Sequence, residues 1–454
     1  MNERKCLGPV HRRQFLQAGL LALGGVGLPE LLRARAATHE SGRRGSVILL
    51  YMHGGPSHLE TYDLKPEAPV EYRSIFKPIA TNVPGLSICE HLPLQARIAD
   101  KFSLIRSCHH SMSSHSDGGI EVLTGKTPSK PDATSTSRSD HPDLGSVASR
   151  VRGIEAHGLP QYVSIPTPLY MTRPAYLGMP HQAFSAGDPG LPTYSPPSIR
   201  LVGGVDDKRL TDRRGLREQF DHLRAEFDAT GKMAGADEFR GVAYQLLTSS
   251  KTSDAFDLSR ESDKLRHRYG RDRWGQSCLL ARRLAEAGVA VTTVYINTPK
   301  DGDEFTNWDD HIMNAMRPGH FGKYMETRFK YYDRALSSLI EDVYDRGLDK
   351  DVMVVALGEF GRTPRLSHST QGTGRDHWPD AQSILVSGGG LQMGQVIGAT
   401  NAKGEYPVQR ACTPKDVLAT IYRHLGIDPG YEFRDHTGRP IPILNEGKPI
   451  DELI

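Results

Sequence analysis

The clearest indication of the fold class is the segment Val352-Met-Val-Val-Ala-Leu-Gly-Glu359-Phe-Gly-Arg362-Thr-Pro364. Its apolar run is too short for a typical helix and predicts a strand buried on both faces of a parallel sheet. Open α/β sheets collect their ligands at the carboxyl ends of such strands, and this strand delivers Glu359 and Arg362 to that edge. A second apolar run at 383–387 predicts another strand, and the Asp376-His377 pair lies between the two. We therefore expect the chemistry of the protein in this polar loop.

The rest of the chain supplies more strands of the same kind. Apolar runs rich in β-branched residues predict strands at 46–52, 101–106, 162–165 and 288–296. Between the last of these and Val352, helical spacing predicts one long amphipathic helix at 321–346. Strand, helix and strand then form a βαβ unit with a right-handed crossover. This unit brings Asp309 and His311 to the same edge of the sheet as Glu359.

Side chains that suit a divalent metal follow the predicted strand ends. They are His53, Glu60, Asp63, His115, Asp309, His311, Glu359, Asp376 and His377. Mixed imidazole and carboxylate sets favour Zn, Mn, Fe or Mg over a metal that selects thiolates, and two ions could share them. A network of salt bridges without metal is the alternative. Arg362 and Arg375 suit a clamp for a tetrahedral anion, or else pair with Glu359 and Asp376.

The segment 107–119 is dense in histidines and hydroxyls and precedes a mildly helical stretch at 119–123. The N-terminus of a helix there would offer free backbone N–H groups to phosphate or sulfate. For His109 and His110 individually, a place in a solvated loop is the alternative.

A long insertion is predicted at about 126–287. Up to residue 200 it is rich in Ser, Thr, Pro and Asp, which indicates loops that cover the site and shape substrate access, with one helix near 144–151. From about 206 to 287, charged and apolar residues alternate at helical spacing and predict a largely helical block. Cys89, Cys108, Cys278 and Cys412 are dispersed, which argues against a cysteine zinc site and leaves disulfides open.

The balance of charge argues against nucleic acid as a partner. The 454 residues carry a net charge of +2 without a long basic tract. The length allows one large α/β domain with insertions or two domains, and we favour one.

The N-terminus has the pattern of a twin-arginine signal peptide. Arg12-Arg13 is followed by an apolar stretch at 18–28 and by small residues at 34–37, so we expect a leader at 1–36 that is cleaved after Ala36. An uncleaved N-terminal anchor is the alternative. The expected consequences are passage through the bacterial twin-arginine translocase, a periplasmic or secreted mature chain, and no transmembrane span after the leader.

Several motifs together resemble one known family. They are GGPSHLETYDLKP at 54–66, WDDH at 308–311, GEFGRTP at 358–364, GRDHWP at 374–379 and GGGLQMGQVIGAT at 388–400. With these motifs in this order along nearly the whole mature chain, the sequence resembles the domain-of-unknown-function 1501 family. That family is similar to the alkaline phosphatase and sulfatase superfamily. The resemblance implies a single domain at 38–454. It also implies an alkaline phosphatase-like α/β fold, with a mostly parallel central sheet and helices on both faces.

The resemblance also implies roles for individual residues. His53 stands where the superfamily has a metal-binding Asp, and His115 stands where it has its nucleophile. Asp309, His311 and His377 match metal ligands of the superfamily, with Glu359 and Asp376 beside them. His115 could then form a phospho-histidine, act as a further imidazole ligand, or mark lost hydrolysis, and Ser113 or Ser114 could replace it as nucleophile.

A water activated by the metal would need no side-chain nucleophile, and general-acid work would then fall to His311 or His377. The implied activity is that of an exported metal-dependent hydrolase of a sulfate or phosphate ester, with a sulfated polysaccharide among the candidate substrates. The expected cofactor is one or two divalent ions, drawn from Zn, Mn, Fe, Mg and Ca. Its predicted metal ligands are His53, Asp63, Asp309, His311, Glu359, Asp376 and His377, and its predicted catalytic residues are His115, Ser114, Arg362 and His377. The alternative is a noncatalytic envelope or surface binding protein that retains the fold.

Overall fold

Apolar runs of the sequence form an eight-stranded sheet at the centre of the computed structural model. The structure describes residues 45–153, 159–195, 249–299, 307–314 and 317–454. In spatial order the strands are β16 (Val396–Ile397), β4 (Phe102–Cys108), β15 (Gln382–Gly388), β10 (Val352–Leu357), β1 (Ser46–Tyr51), β7 (Val291–Tyr295), β5 (Tyr162–Ile165) and β6 (Phe184–Ser185). The predicted leader at 1–36 and the predicted helices at 206–248 lie outside the described residues.

Seven of these eight strands run in the same direction. β1 pairs in parallel with both β10 and β7, β5 pairs in parallel with β7 and β6, and β16 pairs in parallel with β4. β15 runs antiparallel to both of its neighbours, β10 and β4. Its first residue, Gln382, therefore lies beside Cys108 at the edge of the sheet where the other strands end.

Short strands outside the central sheet pair with one another and so hold the connecting loops in place. They are β2 (Pro78–Ala80), β3 (Ser87–Cys89), β8 (Met313–Asn314), β9 (Arg317–His320), β11 (Gly361–Arg362), β12 (Ser367–Ser369), β13 (Gly372–Gly374), β14 (His377–Trp378), β17 (Ala399–Thr400), β18 (Pro407–Gln409), β19 (Glu432–Arg434) and β20 (Pro440–Pro442). β11 and β14 matter most for the site, because their pairing sets Arg362 opposite His377.

Helices cover both faces of the central sheet. They are α1 (His58–Thr61), α2 (Pro93–Ala96), α3 (His115–Thr124), α4 (Leu144–Arg152), α5 (Ser250–Phe256), α6 (Asp263–Tyr269), α7 (Arg273–Ala287), α8 (Phe321–Asp345) and α9 (Pro414–His424). Because side chains alternate along β1, Ile48 and Leu50 pack in a core with α7 and α8. Val47 and Leu49 pack on the opposite face in a second core with α3, α4 and α9.

The predicted fold class, a mostly parallel α/β sheet flanked by helices on both faces, is confirmed. Each predicted strand exists within a few residues of its predicted bounds, since fully buried strands are continuous apolar runs. The predicted long helix is α8, which ends at Asp345. The predicted βαβ unit is β7, α8 and β10, and β1 lies between its two strands.

Two open questions from the sequence receive answers. Cys89, Cys108, Cys278 and Cys412 are all buried free thiols. Among the described helices, none combines the length and the apolar composition needed to cross a bilayer.

Candidate metal centre

Loops at one edge of the central sheet gather six of the predicted site residues. They are His53 after β1, His115 at the start of α3, Asp309 and His311 in the segment that follows β7, Glu359 after β10, and His377 before β15. Five loops contribute: those that follow β1, β4, β7 and β10, and the one that precedes β15. His377 joins them because β15 is reversed, so the loop before β15 reaches the same edge as the loops after the others.

Three of the six side chains form what we call the outer half of the site, consisting of Asp309, His311 and His377. The Nε2 atoms of His311 and His377 are 3.0 Å apart. The Oδ1 atom of Asp309 is 2.9 Å from the first nitrogen and 3.0 Å from the second. The three atoms therefore form a nearly equilateral triangle, with the spacing of neighbouring ligands around one metal ion.

The other nitrogen of each outer histidine has an oxygen partner. The Nδ1 atom of His311 lies 2.7 Å from Oδ1 of Asp376. The Nδ1 atom of His377 lies 2.6 Å from the backbone carbonyl of Ser113. An ionised carboxylate and a carbonyl only accept hydrogen bonds, so each Nδ1 carries a proton, and Nε2 of each ring, which faces Asp309 Oδ1, is left to hold a second proton or a cation. Histidine ligands of metals characteristically show this arrangement.

Asp376 thus lies behind His311, although it was predicted to be a ligand itself. Its side chain is 58% exposed and contacts the far nitrogen of the ring. The hydrogen bond from His311 lowers the pKa of Asp376. Burial would lower the pKa of His311, but its hydrogen bonds to Asp309 and Asp376 outweigh burial and raise it. Asp376 orients the imidazole and makes it more basic.

The inner half of the site consists of His53, His115 and Glu359. Oε1 of Glu359 lies 2.7 Å from Nδ1 of His115 and 3.4 Å from Nδ1 of His53, and it accepts a 2.8 Å hydrogen bond from the backbone N–H of Gly54. The Glu359 side chain is completely buried. His53, His115 and Glu359 can together offer ligand atoms to one ion, and so can His115, Asp309 and His377.

Two buried atoms of the inner half lie outside its hydrogen bonds. Oε2 of Glu359 and Nδ1 of His53 form no hydrogen bond with any residue that the structure describes. Leaving a buried carboxylate oxygen unpaired is costly, because the oxygen has lost its hydration. A divalent cation would satisfy both atoms, so the donor set fits a metal. With its four histidines and two carboxylates, the whole cluster suits Zn, Mn or Fe better than the oxygen-seeking Ca or Mg.

His115 joins the two halves. Its Nδ1 faces Glu359, while its Nε2 lies 3.2 Å from Oδ2 of Asp309. Burial would lower the pKa of His115, but its hydrogen bonds to Asp309 and Glu359 raise it to about 9. Burial would raise the pKa of Glu359, but the rings of His53 and His115 hold it at about 2. Without metal, His115 is therefore a protonated imidazole between Glu359 of the inner half and Asp309 of the outer half.

Aromatic rings surround the inner half. The ring of His53 lies edge-on to those of Tyr170 and Tyr295, with centroids 5.8 Å and 5.5 Å away. Phe360 packs 5.4 Å from His115 and 4.3 Å from His377. Burial lowers the pKa of His53, which favours the neutral form that a metal ligand needs.

Arg362 is placed differently from its predicted role as a clamp for the substrate anion. Its guanidinium is completely buried and donates to Asp309 Oδ1 at 2.5 Å. It also donates to the backbone carbonyls of Gly55 at 2.9 Å, Arg375 at 3.1 Å and Trp308 at 3.3 Å, and to that of Gly54. These partners engage both terminal nitrogens and Nε. Arg362 therefore holds Asp309 and ties three loops together.

The structure does not bring Asp63, Glu60 or Arg375 into the cluster. Asp63 pairs with Lys65 at 3.0 Å and accepts a hydrogen bond from Thr400 at 2.5 Å. Arg375 is buried and pairs with the buried Glu60 at 2.9 Å. Each of these groups is neutralised where it lies, so none is available to a metal or substrate in this arrangement.

Ser114 caps a helix. Its hydroxyl accepts from the backbone N–H of Asp117 at 3.3 Å, at the N-terminus of α3. The backbone N–H of His115 donates to Ser135 at 3.2 Å, so the predicted covering loop after residue 126 packs on this end of the helix. A serine engaged as a cap is poorly placed to act as a nucleophile.

A glycine allows two of the site loops to approach closely. Gly54 has φ +114°, and a Cβ atom at this position would lie 2.3 Å from the backbone nitrogen of Asp309. No other residue fits this conformation and this contact. The glycine after His53 is thus required to bring His53 and Asp309 to the same cluster.

Sequence reasoning did not identify two contributors, the carbonyl of Ser113 and the ring of His110. Nε2 of His110 lies 2.6 Å from the backbone carbonyl of Glu359. Burial lowers the pKa of His110 to about 4. A backbone carbonyl leaves no signal in a sequence. The density of histidines in 107–119 was the only sign that His110 has a function.

Comparison with solved structures gives distant likenesses. They include the lipoteichoic acid synthase LtaP from Listeria monocytogenes, with 11% identity, 86% of this chain and 73% of that chain covered, and a TM-score of 0.37. The PsFucS1 sulfatase from Pseudoalteromonas sp. matches with 11% identity, 87% and 70% coverage, and a TM-score of 0.38. The phosphonate monoester hydrolase SpPMH from Silicibacter pomeroyi matches with 13% identity, 90% and 78% coverage, and a TM-score of 0.35. Such TM-scores say nothing about the activity of this chain.

Sequence comparison is more decisive for the family. No protein with a curated description matches the chain. The family model described as "Protein of unknown function (DUF1501)" matches residues 44–454, which include every residue of the candidate metal centre. The chain therefore belongs to the DUF1501 family.

Proposed function

We propose that the chain is an exported metal-dependent hydrolase that cleaves a phosphate or sulfate ester. The observation that carries the proposal is the triangle formed by Asp309 Oδ1, His311 Nε2 and His377 Nε2, with edges of 2.9 to 3.0 Å. Three atoms that all present lone pairs repel one another unless a proton or a cation lies between them. The hydrogen bonds behind both rings favour a cation, because they hold the ring protons on the opposite nitrogens.

Asp309, His311 and His377 would hold the ion, and His53, His115 and Glu359 could hold a second. A divalent ion bound here would supply positive charge for the anionic ester and lower the pKa of a water molecule. Zn, Mn and Fe are the favoured ions, because at least two of the ligands are imidazoles.

The positions of Ser114, His115, His311 and His377 determine which of these side chains could act in the reaction. Ser114 is engaged as a helix cap, and both nitrogens of His115 face carboxylates. This arrangement favours attack by water over attack by a side chain. In His311 and His377, Nδ1 contacts an oxygen and Nε2 would bind the ion, so the general-acid role predicted for them moves to His115, whose nitrogens face carboxylates that favour its protonated form. With a pKa of about 9 in the metal-free protein, His115 holds a proton at neutral pH.

The proposed substrate is an anionic ester, with sulfated polysaccharides among the candidates. Arg362 and Arg375 are both buried and paired with carboxylates, so neither is placed to bind the substrate directly. The positive charge that attracts the ester would come from the bound ion. Export through the twin-arginine pathway remains part of the proposal and rests on Arg12-Arg13 and the apolar stretch after them.

Elemental analysis of the purified protein tests the proposal first. The full chain is expressed in a host with an active twin-arginine pathway, beside a His311→Ala plus His377→Ala variant. We expect one or two equivalents of a transition metal in the wild type and loss of the outer equivalent in the variant. Two equivalents would favour a second ion at His53, His115 and Glu359, whose binding would displace the proton of His115. Analysis of cell fractions from the same host tests export.

Activity is then measured on panels of phosphate monoesters, phosphate diesters and sulfate esters. We expect turnover of at least one class, and its abolition by the double substitution. Absence of metal from the wild type would refute the metallohydrolase. Bound metal without turnover of any ester would favour the noncatalytic envelope protein.

A further inference from the structure

We infer that His110 is a positioning residue that fixes three loops of the metal centre relative to one another. The inference rests on the proposed function, since it assigns His110 a role in metal binding. His110 contacts no substrate position and offers no ligand atom. It acts through the backbone segments that carry Glu359, His115 and His377.

The ring of His110 makes two hydrogen bonds that fix its tautomer. Nδ1 accepts from the backbone N–H of Met112 at 3.2 Å. Nε2 must therefore carry the proton, which it donates to the carbonyl of Glu359 at 2.6 Å. The first bond shapes the turn between β4 and α3, and the second ties that turn to the residue that contributes the buried carboxylate.

The backbone of His110 reaches a third loop. Its N–H donates to the carbonyl of Pro379 at 3.0 Å, two residues after His377. The turn that Met112 completes also presents the carbonyl of Ser113, which lies 2.6 Å from Nδ1 of His377. His377 is therefore held from two directions by the segment 110–113.

Burial supports this role. The side chain of His110 has no exposed surface, so both ring nitrogens must be satisfied by protein. Arg362 has a similar role for other loops, since it joins those of Gly54, Asp309 and Arg375. Together these two buried residues connect every loop that contributes a ligand.

Removing the ring should therefore loosen the metal centre without removing a ligand. In His110→Leu the Glu359 carbonyl and the Met112 N–H both lose their partner, and Glu359 and Ser113 are free to shift. Substitution of groups that orient ligands typically weakens metal affinity 10- to 100-fold, and we expect about that loss. His110→Gln keeps an amide N–H that can reach Glu359, so it should bind metal nearly as well as the wild type.

The experiment compares the wild type, His110→Leu, His110→Gln and His109→Leu in the full chain. His109→Leu is the matched control, because the ring of His109 makes no hydrogen bond to the part of the chain that the structure describes. Zn²⁺ affinity is measured by competition with a chromophoric chelator. The visible spectrum of the Co²⁺ form reports ligand geometry, and thermal unfolding of the metal-free proteins reports stability.

We expect about 10- to 100-fold weaker Zn²⁺ binding and an altered Co²⁺ spectrum for His110→Leu only. Wild-type affinity and spectrum in His110→Leu would overturn the inference, while absence of metal from the wild type would overturn the proposed function instead. If His110→Leu does not fold, His110→Asn replaces it, since its shorter amide reaches Met112 but not Glu359. Equal affinity in His110→Asn and His110→Gln would then overturn the inference.

Discussion

The outer and inner halves of the metal centre are built from the same residue types but are held in different ways. In the outer half, the protein supplies a hydrogen-bond acceptor behind each histidine, at Asp376 and at the carbonyl of Ser113. In the inner half, Glu359 is completely buried and one of its oxygens has no partner among the described residues. The outer half is more open, with 30% of the His311 side chain exposed against 13% of that of His53.

This difference shows that hydrogen bonds from the protein orient the ligands of the outer half. The inner half instead needs a bound proton or cation to neutralise its buried carboxylate. Without metal, the occupant of the inner half is the proton of His115. We therefore expect substitutions in the outer half to change metal affinity most, and changes in the inner half to change stability and its dependence on pH. The following predictions test this division.

Asp309→Asn should have the largest effect, because Asp309 faces both halves. Its carboxylate contacts His115, His311 and His377 and pairs with the buried Arg362. We expect loss of the outer metal and a decrease in the free energy of unfolding of about 3–5 kcal/mol, since a buried cation loses its partner. Metal content and denaturant unfolding measure the two effects.

Asp310→Asn is the control for that prediction. Asp310 is the adjacent residue and pairs with the buried Arg328 at 2.5 Å, away from the triangle. It should lose stability by a comparable amount and keep its metal. Equal loss of metal in both variants would mean that Asp309 acts through folding alone.

His115 should make the stability of the metal-free protein depend on pH. Its pKa is about 9 in the folded chain and close to 6.5 when unfolded, so the folded state binds the proton more tightly. The stabilisation is fully present below pH 6.5 and is lost as the pH rises through 9, by about 3 kcal/mol in total. Denaturant unfolding at pH 6, 7.5 and 9 measures it. His115→Gln should abolish this dependence, and an unchanged profile in that variant would count against the arrangement of the inner half.

Asp376→Ala should weaken metal binding without affecting folding. Asp376 orients His311 from a largely exposed position, so we expect about 10- to 100-fold lower Zn²⁺ affinity and nearly unchanged unfolding of the metal-free protein. Competition with a chelator measures the affinity. Complete loss of the metal would instead indicate that Asp376 is itself a ligand, as the sequence suggested.

Ser114→Ala should have the smallest effect. Removing the cap of α3 should cost about 1 kcal/mol of stability and leave the metal content unchanged. Turnover of the best ester, measured beside the wild type, should fall less than tenfold. A loss of several orders of magnitude would identify Ser114 as the nucleophile and reverse its assignment as a cap.

The sequence predicted much of the fold, because buried strands leave a clear pattern. The run at 352–357 contains only apolar residues, and these six residues form β10 in the structure. The direction of β15 was not predicted, since an apolar run is the same in parallel and antiparallel pairing. The rule that ligands collect at strand ends placed Asp309, His311 and Glu359 at one edge, and in the structure they lie together.

The roles of individual residues were harder to predict, because charge and residue type do not reveal burial. Arg362 resembles an anion clamp in sequence but is buried against backbone carbonyls. Asp63 follows the first strand closely, yet it turns away to Lys65 and Thr400. Asp376 and His110 act by orienting other groups, and their partners depend on contacts between loops that are distant in sequence.

The position of β1 in the sheet has a consequence for the order of events during synthesis. β1 belongs to the first part of the described chain, but it pairs with β7 and β10, and Gly54 and Glu359 are 305 residues apart. A ribosome must therefore complete most of the chain before the two halves of the site can meet, which makes folding slow and dependent on long-range contacts. The metal centre, which needs both Glu359 and His377, could therefore bind its ion only after most of the chain has been synthesised.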